Sequence, residues 1–409
     1  MKHHLKLGTA VMAIIMATFP SQARKKDAAS FPIDPIAATM ISDPANKMSH
    51  APSTVITEDG TVYVIYYRNL YKGIETPENN TSEIILDKFP LKSWKNPKIT
   101  RTHILSNGES VGDFTQNTMS PYDPQINMVN GRIVCTIRGY ENDEYSLFAS
   151  YVDTGSGTLE NKAFRCTLSW KGQDGTTVTV PLTTSGLRQF YQSLGIDTEE
   201  AFSREKIGKH NPYIDKRYVR RGDWYYTALG CWCFRHAVPA IIRTKDGINF
   251  EVAFTCPQYT LGAAEVTFEI ADGSFYILAR TARPEKGRGT YLSRYSMDGE
   301  CMYGPRRIGD VESLPSIFAH NGKVYAIRNI HPNYLLPNGK RVSRSRIRIS
   351  EVAQDLQLLR SWEIASPNSL QYYNVAGHKG RLYMTFVESR DKKPGKDWKG
   401  NICFTELNL

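Results

Sequence analysis

The chain has 409 residues, with 51 Lys and Arg against 41 Asp and Glu for a formal net charge of +10, and is 41% apolar and 22% charged. That balance excludes wholesale disorder. Tyr (23) and Phe (16) are plentiful while long amphipathic helical patterns are scarce, which disfavours a helical bundle and points to an all-β fold.

In chain order, the first element stands outside the fold. Lys2 and Lys6 precede an apolar stretch from Leu7 to Phe19, and Ser21-Gln22-Ala23 offers small residues where a signal peptidase cuts, so residues 1–23 read as a cleaved secretory peptide. The stretch is too short to span a bilayer comfortably. No Cys follows it to carry a lipid, and losing Lys2 and Lys6 takes the charge from +10 to +8. A periplasmic or secreted monomer without a membrane span is expected. Residues 24–45 are read as a segment that closes a ring, and 46–409 as one domain.

From residue 46 onward one unit recurs: a strand-like run, a tight polar turn with Gly, and a second strand rich in Val, Ile and Tyr. The turns are Glu58-Asp59-Gly60, Val129-Asn130-Gly131, Arg221-Gly222-Asp223, Ala271-Asp272-Gly273, His320-Asn321-Gly322 and His378-Lys379-Gly380. Asn-Gly and Asp-Gly tolerate the positive φ angles of two-residue hairpins. Their spacing approaches the ~50 residues of a four-stranded propeller blade. A seven-bladed β-propeller is therefore expected, with one unit hidden between Gly131 and Gly222; six blades is the alternative. That interval also holds a helix, read as an insertion near 185–204 with Ser185 as N-cap and Leu187, Phe190, Tyr191 and Leu194 on one face. Thr244-Lys245-Asp246-Gly247-Ile248-Asn249-Phe250 resembles the aspartate-box turn of sialidase-type blades.

In a propeller, residues just before the first strand of each blade and just after the second converge on one rim. Counting from the turns puts His50, Gln125, His210 and Glu265, with Arg68, Arg138, Arg280, Arg328, Asn329 and Glu388, on that rim. Guanidinium forks match carboxylates, and the nearby Tyr66, Tyr67, Tyr140 and Tyr373 suit sugar faces. An acidic oligosaccharide or polysaccharide is the expected partner. Nucleic acid is disfavoured, since the basic residues are dispersed. Most glycosidases use two carboxylates about 5 to 9 Å apart, and Glu265 and Glu388 are the only pair on this rim. Histidine suits proton transfer at neutral pH better, which singles out His50 and His210. Cys231 and Cys233 share a strand face, but no second Cys/His pair stands at zinc spacing. No metal and no cofactor are required, with a structural calcium left open.

The His50-x-Pro52 entry, the Asp59-Gly60 turn and Arg68 at the end of the returning strand resemble secreted bacterial propellers with sialidase-like repeats that act on uronate-bearing polysaccharides. Within that group the chain looks most like the seven-bladed rhamnosidases of glycoside hydrolase family 145, which remove L-rhamnose from α-1,4-linked D-glucuronate, and more distantly like ulvan lyases. The resemblance implies that His50 is the essential acid/base group, assisted by the substrate's own carboxylate. It also implies action from the opposite propeller face, whereas the strand count puts His50 on the rim where innermost strands begin. The lyase pattern implies elimination served by His210 and Tyr226 with Arg68, Arg138 and Arg235, but Asn69 stands where those enzymes often carry a second histidine. The Phe-Arg-Ile-Pro signature of sialidases is absent. Exo-hydrolysis of the rhamnose–glucuronate linkage is the leading expectation, with Asn69, Gln125, Glu265, Arg280 and Arg328 among the substrate-binding residues. Elimination is the second, and a non-catalytic acidic-glycan-binding or sialidase-like propeller the third.

Overall fold

The computed structural model describes residues 31–33, 38–46, 48–70, 82–106, 108–112, 114–115, 124–142, 144–199, 211–232, 237–259, 263–281, 289–309, 315–330, 333–335, 341–343, 346–364, 366, 368–389 and 400–409. The chain is all-β, with one α-helix among these residues. All six glycine turns are tight hairpins joining antiparallel strands. Asn130, Asp272, Asn321 and Lys379 adopt φ of 46–50° and the glycine after each 65–78°, the left-handed geometry that such hairpins demand.

Five sheets are propeller blades built as meanders. The first comprises Met48–Ile56, Thr61–Asn69, Ser82–Pro90 and Thr100–Ser106, and the second Gln125–Val129, Arg132–Glu141, Glu144–Tyr151 and Phe164–Arg165. The fourth runs Ala263–Ala271, Ser274–Thr281, Thr290–Ser296, Cys301–Gly309. The fifth runs Ser316–His320, Lys323–Ile330, Arg346–Val352, Leu358–Ile364, and Phe31–Ile33 adds to its edge in parallel. In the sixth, Ser369–His378, Arg381–Ser389 and Gly400–Leu407 are joined by Thr39–Met40.

The third sheet departs from this form. Its innermost strand is split into Asn211–Ile214 and Val219–Arg221, both paired with Trp224–Trp232; Ala240–Thr244 and Asn249–Thr255 follow. The hairpin Thr167–Lys171 and Thr177–Pro181 then extends the sheet, joining it in parallel at Asn249–Thr255. Among the described residues, the interval between Gly131 and Gly222, read as hiding a further unit, holds the remainder of the second blade, this hairpin, the helix and the split strand of the third sheet. A seventh sheet of blade form is not found among the described residues, which corrects the seven-bladed expectation.

Helix α1 spans Thr184–Ser193, and its N-cap is Thr183, whose Oγ1 accepts from Gly186 N at 3.0 Å. Ser185, expected in that place, instead donates its backbone N–H to Glu144 Oε2 at 2.7 Å. Leu187, Phe190 and Tyr191 are buried, whereas Leu194 is the exposed C-cap.

Strands buried on both faces explain uninterrupted runs such as Val62-Tyr63-Val64-Ile65-Tyr66. Side chains alternate along a strand, so Tyr63 and Ile65 pack toward the second sheet while Val62, Val64 and Tyr66 pack toward the sixth. The same sharing between neighbouring sheets repeats around the molecule. The ring closes where Ser369–His378 lies against Met48–Ile56.

Asp215, Lys216, Arg217 and Tyr218, between the two halves of the split strand, reach four other sheets. Asp215 accepts from Thr267 Oγ1 at 2.7 Å, and Lys216 Nζ donates to Pro52 O at 3.5 Å. Arg217 donates to Phe268 O and Ile317 O and pairs with Glu269 at 2.9 Å, while Tyr218 N donates to Asn127 Oδ1. A segment touching the innermost strands of the first, second, fourth and fifth sheets must lie on the ring axis.

Candidate functional site

Register fixes which side chains share the rim. Ser49 faces Arg68 and His50 faces Tyr67 across the first hairpin. Glu265 faces Arg280, Gln125 faces Thr136, and Leu370 faces Glu388. Arg138 and Arg328 stand toward the same ends of their strands. The structure thus brings His50, Arg68, Asn69, Gln125, Arg138, Glu265, Arg280 and Arg328 to one end of the ring, where the innermost strands begin. His210 and Arg235 lie outside the described residues. Tyr226 does not join the group. It follows the Gly222 turn at the far end of its strand, opposite Val219 and Arg243, and packs in the core with its ring 5.5 Å from Phe275.

Two β-bulges shape the centre of this rim. Pairing shifts between His50 and Ser53 in the first blade and between Gln371 and Asn374 in the sixth. Within them Ala51 has φ 53° and Tyr372 φ 49°, a left-handed conformation costing a non-glycine residue about 1–2 kcal/mol. Bulges re-aim side chains. Here they bring the His50 and Tyr372 rings to 3.8 Å between centroids at 55°, with Tyr67 at 5.0 Å on His50 as well. His50 is 2% exposed and Tyr372 is half-buried.

Backbone groups displaced by the first bulge are claimed by side chains from elsewhere. Lys216 Nζ reaches Pro52 O, and Thr54 N donates to Asn374 Oδ1 at 3.0 Å. Thr54 and Thr385 hydroxyls meet at 2.7 Å. The bulge is thereby fixed from the axial segment on one side and from the sixth blade on the other.

Several rim groups expected to bind substrate already hold protein partners. Arg68 Nε pairs with Glu83 at 2.7 Å, and Arg280 Nη1 donates to both oxygens of Glu265 at 2.9 Å. Arg328 donates to Ile308 O, and Gln125 Nε2 to Ile214 O at 2.8 Å. Asn69 is fully buried. Glu388 accepts from Ser366 Oγ and lies 3.9 Å from Cys403 Sγ. The two carboxylates that strand counting placed on this rim are thus engaged, and the structure adds a third, Glu83, paired with Arg68. Beside them Tyr373 donates to Ile327 O at 3.1 Å. Burial pushes its phenol well above 10, with Glu265 adding to the effect and Arg328 opposing it, so it stays protonated.

Sequence reasoning missed Tyr372 and the axial segment. The polar run Asp215-Lys216-Arg217 between Tyr213-Ile214 and Tyr218-Val219 was a readable interruption; Tyr372 left none, because nothing local marks a left-handed tyrosine. Cys231 is buried, and Cys233 lies outside the described residues. Among the described residues no group of three or more His, Cys, Asp or Glu is arranged to hold a metal ion, and no helix is long and apolar enough to cross a membrane.

The Asp246 turn has the aspartate-box form: its carboxylate accepts from Ile248 N and Asn249 N at 2.8 Å and from Thr244 Oγ1 at 2.9 Å. Together with the blades, it defines a sialidase-like β-propeller. Solved structures agree. The chain is similar to a protein of unknown function from Dyadobacter fermentans, at 11% identity and a TM-score of 0.55 over 91% of this chain and 98% of that one. The intramolecular trans-sialidase of Ruminococcus gnavus, also at 11% identity, gives 0.54 over 91% and 97%. The NanB sialidase of Streptococcus pneumoniae, as its K499G mutant, gives 0.52 at 10% identity over 92% of this chain and 71% of that one. No protein-family model and no curated protein sequence matches the chain.

Proposed function

We propose that the protein is a carbohydrate-active enzyme that removes terminal L-rhamnose from α-1,4-linked D-glucuronate by hydrolysis, with His50 as the acid/base group. The observation carrying this reading is the His50 imidazole, held between Tyr67 and Tyr372 on the same rim as Arg68, Arg138, Arg280 and Arg328. His50 supplies a proton to the departing glucuronate oxygen, water delivers hydroxyl to the rhamnose anomeric carbon, and its remaining proton returns to the imidazole. The planar guanidinium forks of Arg68 and Arg280 suit the uronate carboxylate. The engagement of Glu265 and Glu388 favours histidine over a carboxylate pair.

Elimination on the same linkage is supported by one specific observation, the phenols beside His50. A base taking the proton next to the uronate carboxylate needs an acid for the leaving oxygen, and a tyrosine is suited to that. Incubation with a gum arabic digest separates the readings by product. Hydrolysis yields free rhamnose with no ultraviolet chromophore, and elimination yields an absorbing unsaturated uronate. His50→Ala is expected to lower turnover about 10²- to 10⁴-fold, the usual worth of a positioned acid/base group. Wild-type binding without any cleavage would leave a glycan-binding propeller.

A further inference from the structure

Two bulges on neighbouring strands, each with a non-glycine residue in left-handed conformation, flank one histidine. Ala51 at φ 53° follows His50 directly, and Tyr372 at φ 49° is the residue whose ring meets it. Strain of this kind persists only where surroundings over-determine it, and it gathers at functional sites. The surroundings here do so: Asn374, just past the second bulge, accepts Thr54 N just past the first, and buried Lys216 holds Pro52 O. An ordinary extended backbone at residue 372 would send its side chain elsewhere, and the 3.8 Å ring contact would be lost.

We propose that Tyr372 is a positioning residue for His50, its ring aimed by the sixth-blade bulge so that the imidazole is held in one orientation toward the substrate. This rests on the reading of His50 as the acid/base group. The contact that carries this role is the one between the rings, 3.8 Å between centroids. Tyr372 is also the more exposed member of the pair.

Two variants of the full chain test this. Tyr372→Phe keeps the ring, whereas Tyr372→Asn removes it but retains a residue that tolerates left-handed backbone, which preserves the bulge. The first readout requires no substrate: the His50 ring protons in NMR, displaced by the ring current of Tyr372. They are expected to hold their positions in Tyr372→Phe and to move in Tyr372→Asn. The second is turnover on the gum arabic digest, where Tyr372→Phe should leave kcat within about twofold and Tyr372→Asn should lower it about 10- to 100-fold with KM nearly unchanged, the effect of a misplaced catalytic group. Unmoved His50 signals in Tyr372→Asn would overturn the proposal, as would equal kcat losses in the two variants. Signals that move as expected in a protein with no activity on the digest would uphold the positioning and sink the proposed reaction.

Discussion

Asp215 on the axial segment offers a test of how the ring is held. Its carboxyl is buried and its pKa is pushed from 3.8 up to about 6, mainly by burial, against the lowering effects of Arg217, the Thr267 hydroxyl and the backbone N–H groups of Lys216 and Phe268. The unfolded chain releases this proton near 3.8 and the folded one near 6, so between these values the folded state binds more protons. Raising the pH through that window therefore costs stability, which is fully present below about 4 and lost above about 6. At 1.36 kcal/mol per pH unit the cost approaches about 3 kcal/mol. Asp215→Asn removes the titration but turns one acceptor oxygen into a donor facing donors, which forfeits about 1 kcal/mol of hydrogen bonding. The variant should thus gain about 1–2 kcal/mol over the wild type at pH 7–8, and fall about 1 kcal/mol below it near pH 4. Urea unfolding of both proteins across pH 4–8 reads the difference. A difference that stays constant with pH would refute the reasoning, since it would mean that Asp215 ionises alike in both states.

Arg217→Leu should destabilise the protein by about 3–5 kcal/mol in the same assay, because it strands buried Glu269 and the carbonyls of Phe268 and Ile317. Arg101→Leu should cost about as much, since Asp87 is fully buried and held by Arg101 at 2.8 Å and Tyr66 at 2.9 Å; the simultaneous loss of the Arg101 bond to Ile41 O should also raise hydrogen exchange in residues 39–42. Asp246→Ala should cost about 1–3 kcal/mol by leaving the turn N–H groups unpaired. Hydrogen bonds from Asn249, Ile248 and Thr244 outweigh burial and hold the Asp246 carboxyl below 3.8, so this loss should shrink only as pH falls below that value. On the proposed uronate-binding role, Arg280→Lys should raise KM for a uronate substrate about tenfold, since an ammonium lacks the planar fork of a guanidinium.

The parts of the fold legible in the sequence are those where local chemistry admits one answer. Asn130-Gly131 and Asp272-Gly273 need positive φ, so their turns announce hairpins, and counting outward from them locates the rim because antiparallel register is rigid. The departures come from contacts made over distance. Thr167–Pro181 reads as a hairpin in isolation, yet nothing in it says that it will extend the third sheet in parallel at Asn249–Thr255. The long spacing it creates therefore imitates a hidden blade. The helix start moved to Thr183 because Glu144, distant in sequence, claims the N–H of Ser185.

The site shows the same division more sharply. His50 was legible as a proton-transfer candidate from its place at a blade entry, but its partner was not, since tyrosine and alanine are poor choices for left-handed backbone. Sequences that fold reliably agree with their structure at every level, and where they disagree the disagreement tends to fall at functional or strained positions. Ala51 and Tyr372 are such disagreements, and both flank His50, whereas Asn130, Asp272 and Asn321 take up the same backbone conformation at surface hairpins with residues suited to it. Ala51 lies in the core between the first and sixth sheets and Tyr372 packs against it, so glycine or asparagine would relieve strain at the cost of that packing. A requirement for the tyrosine ring beside His50 adds a second reason to keep it at residue 372.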